Sequence, residues 1–191
     1  MTIATTANGS RCVAQSVFAT PIGPLLLVRT ADGLAGAWFE GQRHHPPPFA
    51  APHARSDPLL VRVAEQLHAY FDGGAAPFDV PLDLQGTPFQ RAVWQTLLTL
   101  GRGETCSYGD LARRVGKPLA VRAVGAAVGR NPVSVIVPCH RVVGGDGSMT
   151  GYAGGIERKV ALLRLEAHPV GARPSAPLSR PRTALRVEGV H

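Results

Sequence analysis

Between Gly86 and Pro132 the sequence is punctuated so heavily that only short helices joined by tight turns fit it. Thr87, Pro88 and Gln90 make a start signal: a threonine cap, a proline where its missing N–H costs nothing, and a glutamine that closes a capping box. The helix expected from Pro88 to about Thr99 buries Phe89, Ala92, Val93 and Leu97. Ser107 caps a second helix, Gly116, Lys117 and Pro118 turn the chain, and a third helix runs from about Leu119 to Gly129. This is the rhythm of a helix-turn-helix. Beyond its first residue, and apart from Arg122, the third helix is built of Ala, Val and Gly. Side chains that small let a backbone come close to something bulky.

Upstream, "SVFATPIGPLLLVRTADGLAGAWFE" reads as strands joined by turns, with "ADG" as a hairpin between "LLLVRT" and "LAGAWF". Residues 41–58 carry five prolines, too many for regular hydrogen-bonded structure. Asp57 as cap and Pro58 at the first position then start a helix with Leu60, Val63, Ala64, Leu67 and Phe71 on one face. "GGAAP" ends it, and "FDVPLDL" is a short extended stretch. The expected fold class is α/β: a small amino-terminal sheet-plus-helix domain over 1–85, then a mainly helical carboxy-terminal domain with the helix-turn-helix over 86–167. A final helix from Ile156 to about Glu166 packs Ile156, Val160 and Leu163. From His168 the chain turns to four prolines and four arginines, and the tail 168–191 is expected to lack a fixed structure.

Hydrophobic residues at 45% and charged ones at 17% fit an ordinary globular protein with one sizeable core. No run approaches membrane-spanning length, and "MTIATTANGSRC" lacks the basic and apolar regions of a secretory leader, so neither a membrane nor export is expected. Cys12, Cys106 and Cys139 cannot all pair and make no C-x-x-C, which points to the reducing cytoplasm. No metal site follows from the spacing; His44 and His45 sit in the proline-rich loop. The net charge of +7 is uneven: residues 1–99 hold 6 Lys/Arg against 7 Asp/Glu, whereas 100–167 hold 10 against 5. A basic excess confined to the helix-turn-helix half suits a polyanionic partner.

That half also holds "VIVPCHRVVGG". A thiol of pKa about 8.5 is only slightly ionised at neutral pH, so a reactive cysteine needs a base or a positive environment. His140 and Arg141 are the candidates. On an extended segment neighbouring side chains point to opposite faces, so His140 is expected to reach Cys139 through a bridging water, with an acidic group orienting the imidazole. Then comes "GGDGSMTGYAGG", a loop with six glycines in twelve residues.

Together "RNP", "PCHRVV" and "TGYAGG" resemble the active-site region of the O6-alkylguanine-DNA alkyltransferases, also called methylated-DNA–protein-cysteine methyltransferases. "GTPFQRAVWQTLLTL", "GETCSYGDLA", "AVRAVGAAVGRNP" and "GGIERKVALLRLE" are similar to family segments in the family's order. The resemblance is strong over 86–167 and weaker over 17–84, through "TPIGPLLL" and "LHAYFDGG".

What it implies is single-turnover repair without a cofactor: an alkyl group passes from O6 of guanine, or O4 of thymine, in double-stranded DNA to an acceptor cysteine, after the base is flipped out through the minor groove. Cys139 matches the acceptor, His140 the residue that deprotonates it through water, Glu166 the carboxylate that orients the histidine, and Asn131 the asparagine that braces the turn. Arg122 matches the arginine that fills the vacated place in the stack, on a groove-entering helix that brings Ala120, Val121, Ala123 and Gly125 to the DNA. Tyr108 matches the tyrosine that donates to guanine N3. Tyr152, Ala153 and Gly154 match the lid over the base, Val142 the pocket wall, and Lys159 a family lysine beside it. A monomer in solution that can gather in several copies on DNA is the implied assembly. Cys106 stands where many relatives carry arginine and Gly101 where proline is usual, at a helix entrance away from this chemistry. The cysteine-rich regulatory module of adaptive-response relatives is missing, which argues against a transcriptional role.

Two rival readings carry other expectations. A thiol hydrolase would need an oxyanion hole and a nucleophile freed in each cycle, and would leave Arg122 and its small-residue helix unexplained. A non-enzymatic helix-turn-helix regulator would leave the cysteine and histidine without purpose.

Overall fold

In the computed structural model, which describes residues 11–167, three antiparallel strands open the chain: β1 (Ala14–Phe18), β2 (Leu25–Arg29) and β3 (Leu34–Phe39), in the order β1-β2-β3. The β2–β3 hairpin lies at the "ADG" turn, with a register shift between Val28 and Arg29. All six residues of β3 are buried, because both its faces and its outer edge are covered. At that edge the Leu34 amide donates to Pro81 O, the Ala37 amide donates to Pro132 O, and the Ser134 amide donates to Ala37 O. The segment leading into Cys139 therefore hangs on the amino-terminal sheet.

Helix α1 (Pro58–Phe71) starts where Asp57 accepts from the amides of Leu59 and Leu60. It buries Leu60, Val63, Leu67 and Tyr70, so Tyr70 takes the inward place expected of Phe71, and Ala64 is only half-buried. Helix α2 (Pro88–Leu97) has the full capping box between Thr87 and Gln90. Its buried residues are Val93, Trp94 and Leu97, while Ala92 is exposed and Phe89 half-buried. The reason is Trp94: its indole N–H donates 2.9 Å to Ala127 O, which turns that face of the helix inward.

A short strand β4 (Cys106–Ser107) leads into α3 (Tyr108–Arg114), capped reciprocally by Ser107 and Asp110. Helix α4 (Val121–Gly129) follows the turn at Gly116. It begins later than its sequence suggests, since Leu119 is fully exposed and Ala120 serves as an N-cap without a side-chain bond. A parallel pairing of β4 with β5 (Val142–Val143) ties the helix-turn-helix to the residues after the cysteine. Helix α5 (Ile156–Leu165) buries Lys159, Leu162 and Leu163; Ile156 is 41% exposed and Val160 half-buried, so the expected packing face is rotated by the buried lysine. One core joins the sheet, α1, α2 and both helices of the helix-turn-helix. No helix among the described residues is long and apolar enough to cross a membrane. The tail 168–191 lies outside the described residues.

Candidate active site

The apolar run before the cysteine is not a strand. Asn131 gathers it into a turn: its side-chain oxygen accepts from the Val133 amide at 3.0 Å, and its Nδ2 lies 2.8 Å from Val137 O and 3.3 Å from Val133 O. Val135 stands at φ 71°, a region costly for a β-branched residue, and is held there by burial. Cys139–Arg141 then form one turn of 3-10 helix. The expected extended segment around Cys139 and His140 is thus corrected, because the Asn131 bonds and the Val137 amide donating to Val133 O curl the chain.

Cys139 is 3% exposed, and Asn131 Nδ2 lies 3.0 Å from its sulfur. Burial pushes its thiol up to about 11, against the Asn131 hydrogen bond and the charge of Lys159, which pull it down. His140 is wholly buried, and Nε2 lies 3.0 Å from Glu166 Oε1. A carboxylate only accepts, so Nε2 carries the hydrogen and Nδ1 is the basic atom. That Nδ1 is buried and makes no hydrogen bond among the described residues. Burial lowers the histidine's pKa, with Glu166 opposing. No direct bond joins His140 to the Cys139 sulfur among the hydrogen bonds of the described residues.

Glu166, just after α5, is held from several sides. Arg141 grips both oxygens, Nε to Oε2 at 2.9 Å and a terminal nitrogen to Oε1 at 2.7 Å, while its other nitrogen donates to Leu100 O. The Tyr70 hydroxyl donates to Oε1 at 2.8 Å. Burial would raise the carboxyl, but hydrogen bonds and charge from His140 and Arg141 win and hold it well below its ordinary 4.5. Neither Tyr70 nor this role of Arg141 is visible in sequence, since Tyr70 lies 96 residues from its partner. Lys159 is fully buried, donating to Val142 O at 2.6 Å and Thr150 O at 2.7 Å, and burial lowers it to about 8. Val142 brings its backbone to the site through that bond.

An open cleft of about 1520 Å³ is lined by Tyr108, Arg122, Gly125, Tyr152, Ala153 and Gly154, among others; Cys139 does not line it, but lies near enough for its charge to act on Tyr108 and Tyr152. Tyr108 donates to Gly151 O at 3.1 Å and Thr150 O at 3.3 Å, and burial raises its pKa. Gly125 of α4 faces its ring: a Cβ there would sit 3.7 Å away, in ordinary contact. A side chain on Gly154 would come within 2.6 Å of the Tyr152 ring. The 150–155 loop is fastened to the amino-terminal part, because Arg158 spans Ile22 O and Gly154 O, and the Arg43 amide donates to Ala153 O. On α4, Val121, Arg122, Ala123 and Ala126 are exposed, with Ala120 half-buried before them. The fold thus groups Cys139, His140, Glu166, Asn131 and Lys159 in one buried cluster, and Tyr108, Tyr152, Ala153, Gly154, Gly125 and Arg122 around the cleft. Among the described residues, no three or more His, Cys, Asp or Glu side chains are grouped so as to hold a metal ion.

Two family profiles match: "6-O-methylguanine DNA methyltransferase, DNA binding domain" over residues 88–168, and "6-O-methylguanine DNA methyltransferase, ribonuclease-like domain" over 13–84. A methylated-DNA–protein-cysteine methyltransferase of Mycobacterium tuberculosis is 49% identical over 148 residues, covering 77% of this chain and 88% of its own. The protein of that name from Mycobacterium leprae is 46% identical over 151 residues, covering 79% and 90%. Among solved structures, Mycobacterium tuberculosis OGT in complex with DNA superposes with a TM-score of 0.77 at 46% identity, covering 81% of this chain and 93% of that one.

Proposed function

Since the chain belongs to the 6-O-methylguanine DNA methyltransferase family, we propose that it repairs DNA by moving a methyl or larger alkyl group from O6 of guanine to the sulfur of Cys139. Alkyl transfer from DNA to a protein cysteine is the activity of the family, and DNA is its partner. The observation that carries the reading is the buried thiol beside Asn131 and the His140–Glu166 pair, close to Tyr108 and Tyr152, which line a cleft together with Arg122.

The step is a displacement at the alkyl carbon. The bond from Sγ to that carbon forms as the bond to O6 breaks, and the electron pair leaves with guanine. His140 Nδ1 takes the thiol proton through a water, and Glu166 stabilises the imidazolium. Tyr108 gives up its bonds to the loop carbonyls and donates to N3 of the leaving base. After proton return the products are a thioether and neutral guanine. No group in the site can cleave a thioether, so each molecule acts once.

The target lies inside a duplex and has to be rotated out, which costs a few kcal/mol. The exposed face of α4 suits close approach to the minor groove because it carries small residues apart from Arg122, whose side chain takes the vacated place. The net +5 over 100–167, from 10 basic and 5 acidic residues, supports phosphate contacts by this half of the chain. O4-alkylthymine is a second substrate, and the chain works in the cytoplasm as a monomer that gathers in several copies on DNA.

The test incubates the protein with a duplex carrying one O6-methylguanine and maps the mass change by peptide. A methyl group on Cys139 with guanine restored in the strand is expected. Restoration with an unmodified protein would point to a turning-over enzyme, and binding without restoration to a regulator.

A further inference from the structure

Oxygen Oε1 of Glu166 takes three donors: Arg141 at 2.7 Å, the Tyr70 hydroxyl at 2.8 Å and His140 Nε2 at 3.0 Å. Two of these come from the 3-10 turn that holds the cysteine, and the third from α1, packed against the amino-terminal sheet. The Tyr70 ring is fixed on its own account. Arg102 stands 5.0 Å over it while donating to Gly74 O and Leu165 O, Phe71 packs edge-on with ring centroids 5.3 Å apart, and Phe78 packs at a tilt with centroids 5.6 Å apart. Tyr70 is 4% exposed, so its hydroxyl bonds the carboxylate in the absence of competing solvent.

We propose that Tyr70 is a positioning residue for alkyl transfer: its hydroxyl pins Oε1 and takes up negative charge that His140 would otherwise draw on, so the amino-terminal half of the chain sets the basicity of His140. The proposal rests on the alkyl-transfer reading of the same site. Its sign follows from electrostatics. The hydroxyl's positive end points at Oε1, next to Nε2–H, and so disfavours the imidazolium. Removing that dipole leaves Glu166 gripped by Arg141 but with more charge free for the histidine. Among the described residues, the other charged and titratable groups that act on His140, Cys139 or Tyr70 are Lys159 of α5, Arg102, Tyr152, and Arg141 of the turn; Tyr70→Phe leaves them all in place.

The experiment measures the His140 pKa by NMR of histidine-labelled protein, and the rate of Cys139 alkylation by free O6-benzylguanine across pH. Tyr70→Phe should raise the His140 pKa by about half a pH unit, a fraction of the worth of a hydrogen bond to a charged group. The rising limb of the alkylation curve, where His140 becomes neutral and able to take the proton, should move to higher pH by a similar amount. The 3-fluorotyrosine variant at position 70 keeps the ring and the bond but donates more strongly, and should move both the other way. A shift of opposite sign, or no shift in either variant, overturns the proposal whatever happens to melting temperature. If the wild type is not alkylated at all, the functional reading fails, while the NMR values still decide whether Tyr70 acts on His140.

Discussion

Asn131 holds its side-chain nitrogen 3.0 Å from the sulfur of Cys139 and 2.8 Å from the carbonyl of Val137, so one amide both shapes the turn and faces the thiol. A donor aimed at sulfur favours thiolate over thiol. Asn131→Ala should therefore raise the thiol pKa above its present value of about 11 and slow alkylation by free O6-benzylguanine about tenfold, the equivalent of one pKa unit. It should also cost about 1–3 kcal/mol of stability, because buried carbonyls lose their donor. Stopped-time mass spectrometry and urea unfolding read the two effects.

Glu166 makes the second prediction. In Glu166→Gln the amide cannot balance a charged His140 or neutralise the buried Arg141. Alkylation should slow at neutral pH and recover in part at higher pH. Loss of one partner of a buried pair should cost about 3 kcal/mol of stability. The acid behaviour follows by sign: the folded carboxyl is held below its ordinary 4.5, so its contribution is present above that pH and is lost as pH falls through the folded value. Melting curves from pH 7 downward should show the wild type losing stability below about pH 4.5 more steeply than the variant.

Much of this architecture is local and therefore legible in sequence. Thr87 with Gln90, Asp57 with Pro58, and Ser107 before α3 cap helices through bonds spanning three residues or fewer. What sequence hides is contact between distant segments. The Val142–Val143 pairing with β4 is two residues long and has no periodicity to betray it. Periodicity alone also misplaced Ala92 and Ile156, because Trp94 and Lys159 claim the inward positions for the sake of buried hydrogen bonds. Cys139 and His140 stand out by chemistry, whereas Tyr70 looks like one more aromatic on a helix face until α1 meets Glu166.

The third prediction concerns Arg122, exposed near the start of α4. If its side chain holds the gap left by an extruded base, Arg122→Ala should slow repair of duplex DNA about a hundredfold yet leave alkylation by the free base within about twofold, since only the duplex has unstacking to compensate. Wild-type affinity for DNA should also fall steadily with salt, as phosphate contacts release counterions. Equal losses on both substrates would remove Arg122 from the extrusion step.

Lys159 supplies the fourth. Its ammonium lowers the thiol pKa, but burial leaves it titrating near pH 8. The rise of alkylation rate with pH should flatten near pH 8 as that charge is lost. Lys159→Met should react more slowly at neutral pH and show no such flattening. A curve of unchanged shape in the variant would separate Lys159 from the thiol.

In the proposed reaction Cys139 is consumed. Titrating a fixed amount of protein with increasing O6-methylguanine duplex, and counting guanines restored against methylated Cys139, tests it most directly. Both counts should level off together at one per protein molecule, and Cys139→Ser should bind the damaged duplex but restore none. Restoration continuing past one equivalent, or any restoration by the serine variant, would contradict it.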